Sequence, residues 1–273
     1  MITWKWRSAA RRGLERAPHE VYAAPGLLEP SVVEGTLGRF DTACGPMWLP
    51  IDRPDDVVVR DIRAGLLCDS AAIRALLPFI RPGSAVLDVG ANFGQTAIVF
   101  SDAVGNEGRV HAIEPNDGVA DVCERNVRAR PRHNVILHRA AAWDAGGSFV
   151  TLQGSEFQRF GPYGSHSMDP AASRGLRVRT LAVDEIDMQR PLSAIKINMA
   201  GATLRALIGA RTTIARHKPA IIFAFAQQLQ TEFDTSFQDY VDYVTSIDYR
   251  FDSAILGASY LILPRITAAH GGK

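Results

Sequence analysis

The chain has 273 residues, a formal net charge of +1 and 47% hydrophobic content, enough for one large α/β domain or a domain with an N-terminal extension. The near-neutral balance argues against a protein built to coat nucleic acid, and 22% charged residues argue against wholesale disorder. Cys44, Cys68 and Cys123 are far apart and make no CxxC or Cys/His ligand pattern, so no zinc site is expected, and free thiols fit a cytoplasmic location. No apolar run reaches the roughly 20 residues of a membrane helix. The N-terminal stretch is basic without an apolar core, which is not the pattern of a secretory signal.

Residues 1 to about 30 read as a short helix and a loose connection. Gly38 to Pro50 reads as a β-hairpin turning at Cys44-Gly45. Asp69 to Ile80 has its apolar residues, Ile73, Leu76, Leu77 and Ile80, at helix spacing, and Asp69 or Ser70 is placed to cap it. Pro82-Gly83 then breaks the chain. From there strands and helices alternate. Strands are expected at Ala85 to Val89, Arg109 to Glu114, Val135 to Arg139, Ala194 to Ile197 and Ala220 to Ala226. Helices are expected at Gly94 to Val104, Val119 to Arg130, Ala202 to Arg216 and Thr235 to Ile247. This rhythm implies parallel βαβ units in a doubly wound sheet. Tyr249 to Ile255 and Tyr260 to Leu263 are separated by too few residues for a parallel crossover, so the last strand is expected to be antiparallel. Gln153 to Leu176, rich in glycine and serine, reads as a long loop. The division expected is an extension over residues 1–80 and a ligand-binding domain over residues 81–266.

The sharpest motif is Asp88-Val89-Gly90-Ala91-Asn92-Phe93-Gly94, between a strand and a helix. Glycines there admit a ligand to the backbone and expose helix N-terminal amides. The dinucleotide fingerprint G-x-G-x-x-G fails, because Asn92 occupies its second glycine position. Asp88 puts a carboxylate at the strand end, which suits an amino acid end better than a pyrophosphate. Glu114 ends the next strand, 24 residues after Gly90, where an acid can accept both ribose hydroxyls. Together they describe a pocket for a nucleoside with an aminoacyl tail, which is S-adenosylmethionine.

VLDVGANFGQTA, VHAIEPN, VRTLAVDEI and IKINMAGATLRALIGA, in this order, resemble the FkbM family of S-adenosylmethionine-dependent methyltransferases from about Gly38 to Pro264. The resemblance implies a class I methyltransferase, Rossmann-like α/β fold: a mostly parallel, doubly wound sheet with an antiparallel last strand and a small N-terminal cover. It implies O-methylation of a small-molecule or sugar hydroxyl. It makes Asp88, Gly90, Asn92, Gly94 and Glu114 cofactor residues, and sets Ala141 and Ala142, in the stretch Ala140 to Asp144, beside the adenine.

One departure bears on activity. The family pattern Ile-Lys-Ile-Asp-x-Glu-Gly reads here Ile195-Lys196-Ile197-Asn198-Met199-Ala200-Gly201, so both carboxylates are replaced. Asn198 hydrogen-bonds but does not titrate. Losing a general base costs about 10²–10⁴ in rate, and losing two carboxylates removes ligands for a hard divalent metal, so no metal is expected. Two readings follow: the enzyme works with Asn198 at its centre and His166, in the glycine-rich loop, as base, or the chain binds cofactor and serves as an impaired partner subunit. Lys196 is expected to face away from Asn198 and either anchor an anion or pair with an acid. Arg174, Arg177 and Arg179 are candidates to receive an anionic group on the substrate.

Overall fold

The N-terminal segment builds a small antiparallel sheet from β1 (Val32–Glu34), β2 (Leu37–Thr42) and β3 (Gly45–Pro50). The expected hairpin is β2–β3, with Thr42 opposite Gly45 and Leu37 opposite Pro50. Alternation along both strands buries Phe40, Met47 and Leu49 on one face. The computed structural model describes residues 27–52, 56–152, 168–169, 175–199, 201–225, 235–255 and 259–265.

Helix α1 (Val57–Arg63) follows, started by Asp56, whose side chain accepts from the backbone N–H groups of Val58 and Val59. Helix α2 (Ser70–Leu76) continues into a 3₁₀ turn at Leu77–Phe79. Asp69 does not cap α2 as expected: its backbone is left-handed, φ 55°, and its side chain makes no capping bond.

The main body alternates as predicted: β4 (Ala85–Val89), α3 (Gln95–Val104), β5 (Arg109–Ile113), α4 (Asp117–Arg128) and β6 (Val135–His138). Next come β7 (Ala141–Ala142), β8 (Phe149–Leu152), β9 (Met168–Asp169) and β10 (Leu176–Leu181), then a 3₁₀ turn at Val183–Glu185. The second half comprises β11 (Leu192–Ile197), α5 (Thr203–Ile208), α6 (Arg211–His217), β12 (Ala220–Ala224), α7 (Phe237–Ser246), β13 (Tyr249–Ile255) and β14 (Ser259–Pro264).

Seven strands form one sheet in the order β13-β14-β12-β11-β4-β5-β6. The pairs from β12 to β6 are parallel, while β14 runs antiparallel to both its neighbours. The last strand is antiparallel, as its short connection requires, and lies inside the sheet rather than at its edge. The fold is therefore α/β and Rossmann-like, with a mostly parallel sheet.

Consecutive residues on a strand point to opposite faces, and the core is split accordingly. Leu87, Val89, Ile113, Ile195 and Ile197 pack on one side with α5, α7 and a smaller sheet in the order β7-β10-β8-β9. Val86, Val110, Ala112, Ala194 and Ile222 pack on the other with α2, α3 and the β2–β3 hairpin. The smaller sheet was not legible as strands. Its inner members flank the predicted loop, most of which lies outside the described residues. The single helix expected from Ala202 to Arg216 is two, broken at Gly209-Ala210, where Gly209 passes so close to Trp143 that a Cβ would lie 1.9 Å from the Trp143 carbonyl oxygen.

Candidate functional site

Three adjacent parallel strands, β11, β4 and β5, end side by side. The first residue beyond each is Asn198, Gly90 and Glu114 respectively. In open α/β sheets ligands bind at this carboxyl edge.

Gly90 holds the centre. Its φ is +78°, and a Cβ there would stand 2.1 Å from the Asn198 carbonyl oxygen, so the chain turns in a space that admits only glycine. The Gly90 and Ala91 N–H groups donate to the Ile113 carbonyl at 3.0 and 3.1 Å, and Asn198 N–H donates to Val89 O at 2.9 Å. These bonds lock the three strand ends together. Asn92 also has a left-handed backbone, φ 49°, a conformation that asparagine tolerates better than most residues. Gly94, φ +86°, opens α3 close to Cys123.

Glu114 is buried and accepts two backbone N–H groups at 3.0 Å, Asn92 on Oε2 and Asn116 on Oε1. Burial pushes its carboxyl up to about 7 against the counter-effect of these donors and of Lys196. Asn116 itself caps α4 by accepting from Val119 N–H at 3.1 Å.

Asp88 is fully buried and lies opposite Lys196 across β4 and β11. Lys196 Nζ is 3.1 Å from Asp88 Oδ1 and donates to Gly90 O at 3.1 Å. Asp88 Oδ2 has no hydrogen-bond partner among the described residues. Burial raises the Asp88 carboxyl above the ordinary carboxylate range despite Lys196. Burial works against the Lys196 ammonium, but Asp88 and Asp69 outweigh it and hold the amine above its usual value. Lys196 does not face away from Asn198, as had been expected. Residues two apart on a strand share a face, and both side chains meet Asp69: Lys196 Nζ at 3.4 Å from Oδ2, and Asn198 Nδ2 donating at 3.0 Å to Oδ2 and 3.2 Å to Oδ1.

Asp69 is the residue that sequence reasoning missed. Its place ahead of an apolar helix fits a cap, and no local pattern marks it as anything else. Only the fold carries it from the start of α2 to the end of β11.

The segment from Asp88 to Phe251 contains the blocks of a known domain: residues 88–251 match the methyltransferase FkbM domain, more than half of the chain. The chain belongs to the FkbM methyltransferase family. Among solved structures, this FkbM methyltransferase chain is similar to methyltransferase FkbM from Methylobacillus flagellatus KT, at 19% identity over 77% of this chain and 55% of that one, TM-score 0.45. It is similar to a putative rRNA-methylase from Clostridium thermocellum, at 12% identity over 70% of this chain and 90% of that one, TM-score 0.44. A third is Aeropyrum pernix fibrillarin, solved with natively bound S-adenosyl-L-methionine, at 12% identity over 70% of this chain and 73% of that one, TM-score 0.41. A comparison with curated proteins finds no match.

The structure brings Asp88, Gly90, Asn92, Gly94, Glu114 and Asn198 to one edge of the FkbM sheet. Ala141 and Ala142 are buried in β7, which pairs with β10. His166, Ala200 and Arg174 lie outside the described residues. Arg177 and Arg179 are exposed on β10, and the Arg177 guanidinium stacks over Phe149 at 4.1 Å. His133 is exposed, and His138 stacks on His111. Among the described residues no group of three or more His, Cys, Asp or Glu side chains is placed to hold a metal ion, and no helix is long and apolar enough to cross a membrane.

Proposed function

We propose that this FkbM-family protein binds S-adenosylmethionine and methylates a hydroxyl of a small molecule or carbohydrate in the cytoplasm. The observation that carries the reading is Glu114. Each of its oxygens accepts one backbone N–H and keeps a further lone pair, so the carboxylate is fixed in orientation and still able to accept two hydroxyls. That is the recognition a ribose needs. The tight turn at Gly90 and the buried, under-satisfied Asp88 beside it suit the aminoacyl end of the same molecule. Ala141 and Ala142 are small enough to border a flat base.

The cofactor, when bound, supplies an electrophilic methyl group on a sulfonium. The protein's part is alignment of the acceptor, which alone removes much of a transfer barrier, and removal of the hydroxyl proton. Asn198 orients through its amide but cannot take that proton. His166, in the glycine-rich stretch of the sequence, is the proposed base. A histidine base gives a rising limb of the pH–rate profile centred near about 6.5, its unperturbed value. The His166→Gln variant loses that limb, and identical profiles would remove His166 from the mechanism.

A second reading is favoured by Asn198 and Ala200: a protein that keeps the cofactor pocket but acts as a partner subunit. Calorimetry with S-adenosylmethionine, followed by product analysis on hydroxylated acceptors, separates the two. Binding with turnover supports the enzyme and binding without turnover the subunit. Failure to bind overturns both.

A further inference from the structure

We propose that Asp69 is part of the cofactor site, where its carboxylate selects the cationic, methyl-bearing cofactor over the neutral product left after transfer. The inference rests on the cofactor reading above and adds to it a residue from outside the matched domain.

Sheet order gives the direction. Glu114, Gly90 and Asn198 follow β5, β4 and β11, which are neighbours in that sequence across the sheet. Strands lie about 4.8 Å apart, so Glu114 and Asn198 are separated by roughly 10 Å. A nucleoside held by its ribose hydroxyls at Glu114 and lying over the Gly90 turn sends its 5′ substituent, which bears the sulfonium, toward Asn198. Asp69 is the carboxylate found there, with both oxygens on the Asn198 amide.

Two further observations point the same way. Asp69 sits in the left-handed region at φ 55°, which aspartate and asparagine adopt more readily than other non-glycine residues, and its side chain makes no helix-capping bond, leaving it on Asn198 and Lys196. Behind it, Asp88 Oδ2 is buried without a hydrogen-bond partner among the described residues. Asp69 and Asp88 share one ammonium, that of Lys196. Two carboxylates on one cation leave the edge with an excess of negative charge. A sulfonium satisfies that excess and a thioether does not. The aminoacyl group is common to both forms of the cofactor, so the ratio of their affinities isolates the charge on sulfur.

The test is calorimetric titration of the full chain with S-adenosylmethionine and with S-adenosylhomocysteine. Asp69→Asn is the variant of choice, because asparagine also accepts a left-handed backbone and removes the charge while keeping one acceptor oxygen for the Asn198 amide. The affinity ratio is expected to fall about tenfold, through weaker S-adenosylmethionine binding alone. The exchange variant Asp69→Asn/Asn198→Asp, which returns the carboxylate from the other side of the same contact, is expected to restore the ratio. An unchanged ratio in Asp69→Asn, or equal weakening of both compounds, overturns the proposal and leaves Asp69 a structural tie to Lys196. A native protein that binds neither compound overturns the cofactor reading itself.

Discussion

Glu114 shows how one side chain carries competing demands. Burial favours its neutral form, while two backbone donors and Lys196 favour the charged one, and the balance leaves the carboxyl near 7. Ribose hydroxyls donate best to an ionised carboxylate. Cofactor affinity is therefore expected to rise with pH from about 6 and level off above 7, and the rise should vanish in Glu114→Gln. Stability of the cofactor-free protein moves the other way. The native state holds this proton up to about 7, whereas the unfolded chain releases it near 4.5, so the native state binds more protons in that window and loses stability as pH rises through it. Glu114→Ala removes hydrogen bonds to a charged group, which are worth about 1.5–3 kcal/mol. Calorimetry should register a loss of that size, and unchanged affinity in a folded variant would remove Glu114 from the ribose site.

At the scale of elements, the turn after β4 is the most constrained piece of the edge. Gly90→Ala forces a Cβ into 2.1 Å contact with a backbone oxygen on a strand that cannot retreat, since Asn198 N–H is tied to Val89 O. A left-handed non-glycine residue adds roughly 1–3 kcal/mol of strain. The variant is expected to melt at a lower temperature and to bind cofactor at least tenfold more weakly, because relief requires β4 and β11 to part. This turn was legible in the sequence because it is local: glycines, a strand before and a helix after. So were the alternating strands, the Glu114 position and the antiparallel β14, whose connection is too short to cross over. Asp69 was not legible, because its role depends on α2 lying against β11, and a carboxylate before a helix looks like a cap. The break at Gly209 escaped notice for a related reason. The bonds that mark it come from outside the helix: Asp184 N–H donates to the Gly209 carbonyl at 2.8 Å, and the Asp184 carboxylate accepts from Thr212 and Thr213 N–H at the start of α6. Lys196 was the opposite case: period-two alternation puts it on the same face as Asn198, against the expectation that it faces away.

For the whole molecule, the question is whether residues 27–80 form an appendage or part of the fold. The packing favours the second. Phe40, Met47, Leu49, Val59, Ile73 and Leu76 belong to the same buried cluster as Val86, Ala97, Phe100 and Val110. Cross-links of another kind agree: the Asn126 side chain on α4 accepts from Trp48 N–H at 2.6 Å and donates to Trp48 O at 3.0 Å, and Gln95 on α3 bonds Leu66 O and Cys68 N–H. A segment that buries the face of α3 and delivers Asp69 to the sheet edge has no reason to unfold separately. Phe40 is fully buried, and replacing such a phenylalanine by alanine costs about 3–5 kcal/mol. If the cover and the sheet form one cooperative unit, Phe40→Ala lowers a single melting transition seen alike by far-ultraviolet circular dichroism and by tryptophan fluorescence, and it weakens cofactor binding near the new midpoint. If the cover is an appendage, the same substitution produces an early partial transition and leaves the main one, with cofactor binding, where it was. The shared core predicts the first result, and a chain beginning at residue 81 is expected to be insoluble or unfolded for the same reason.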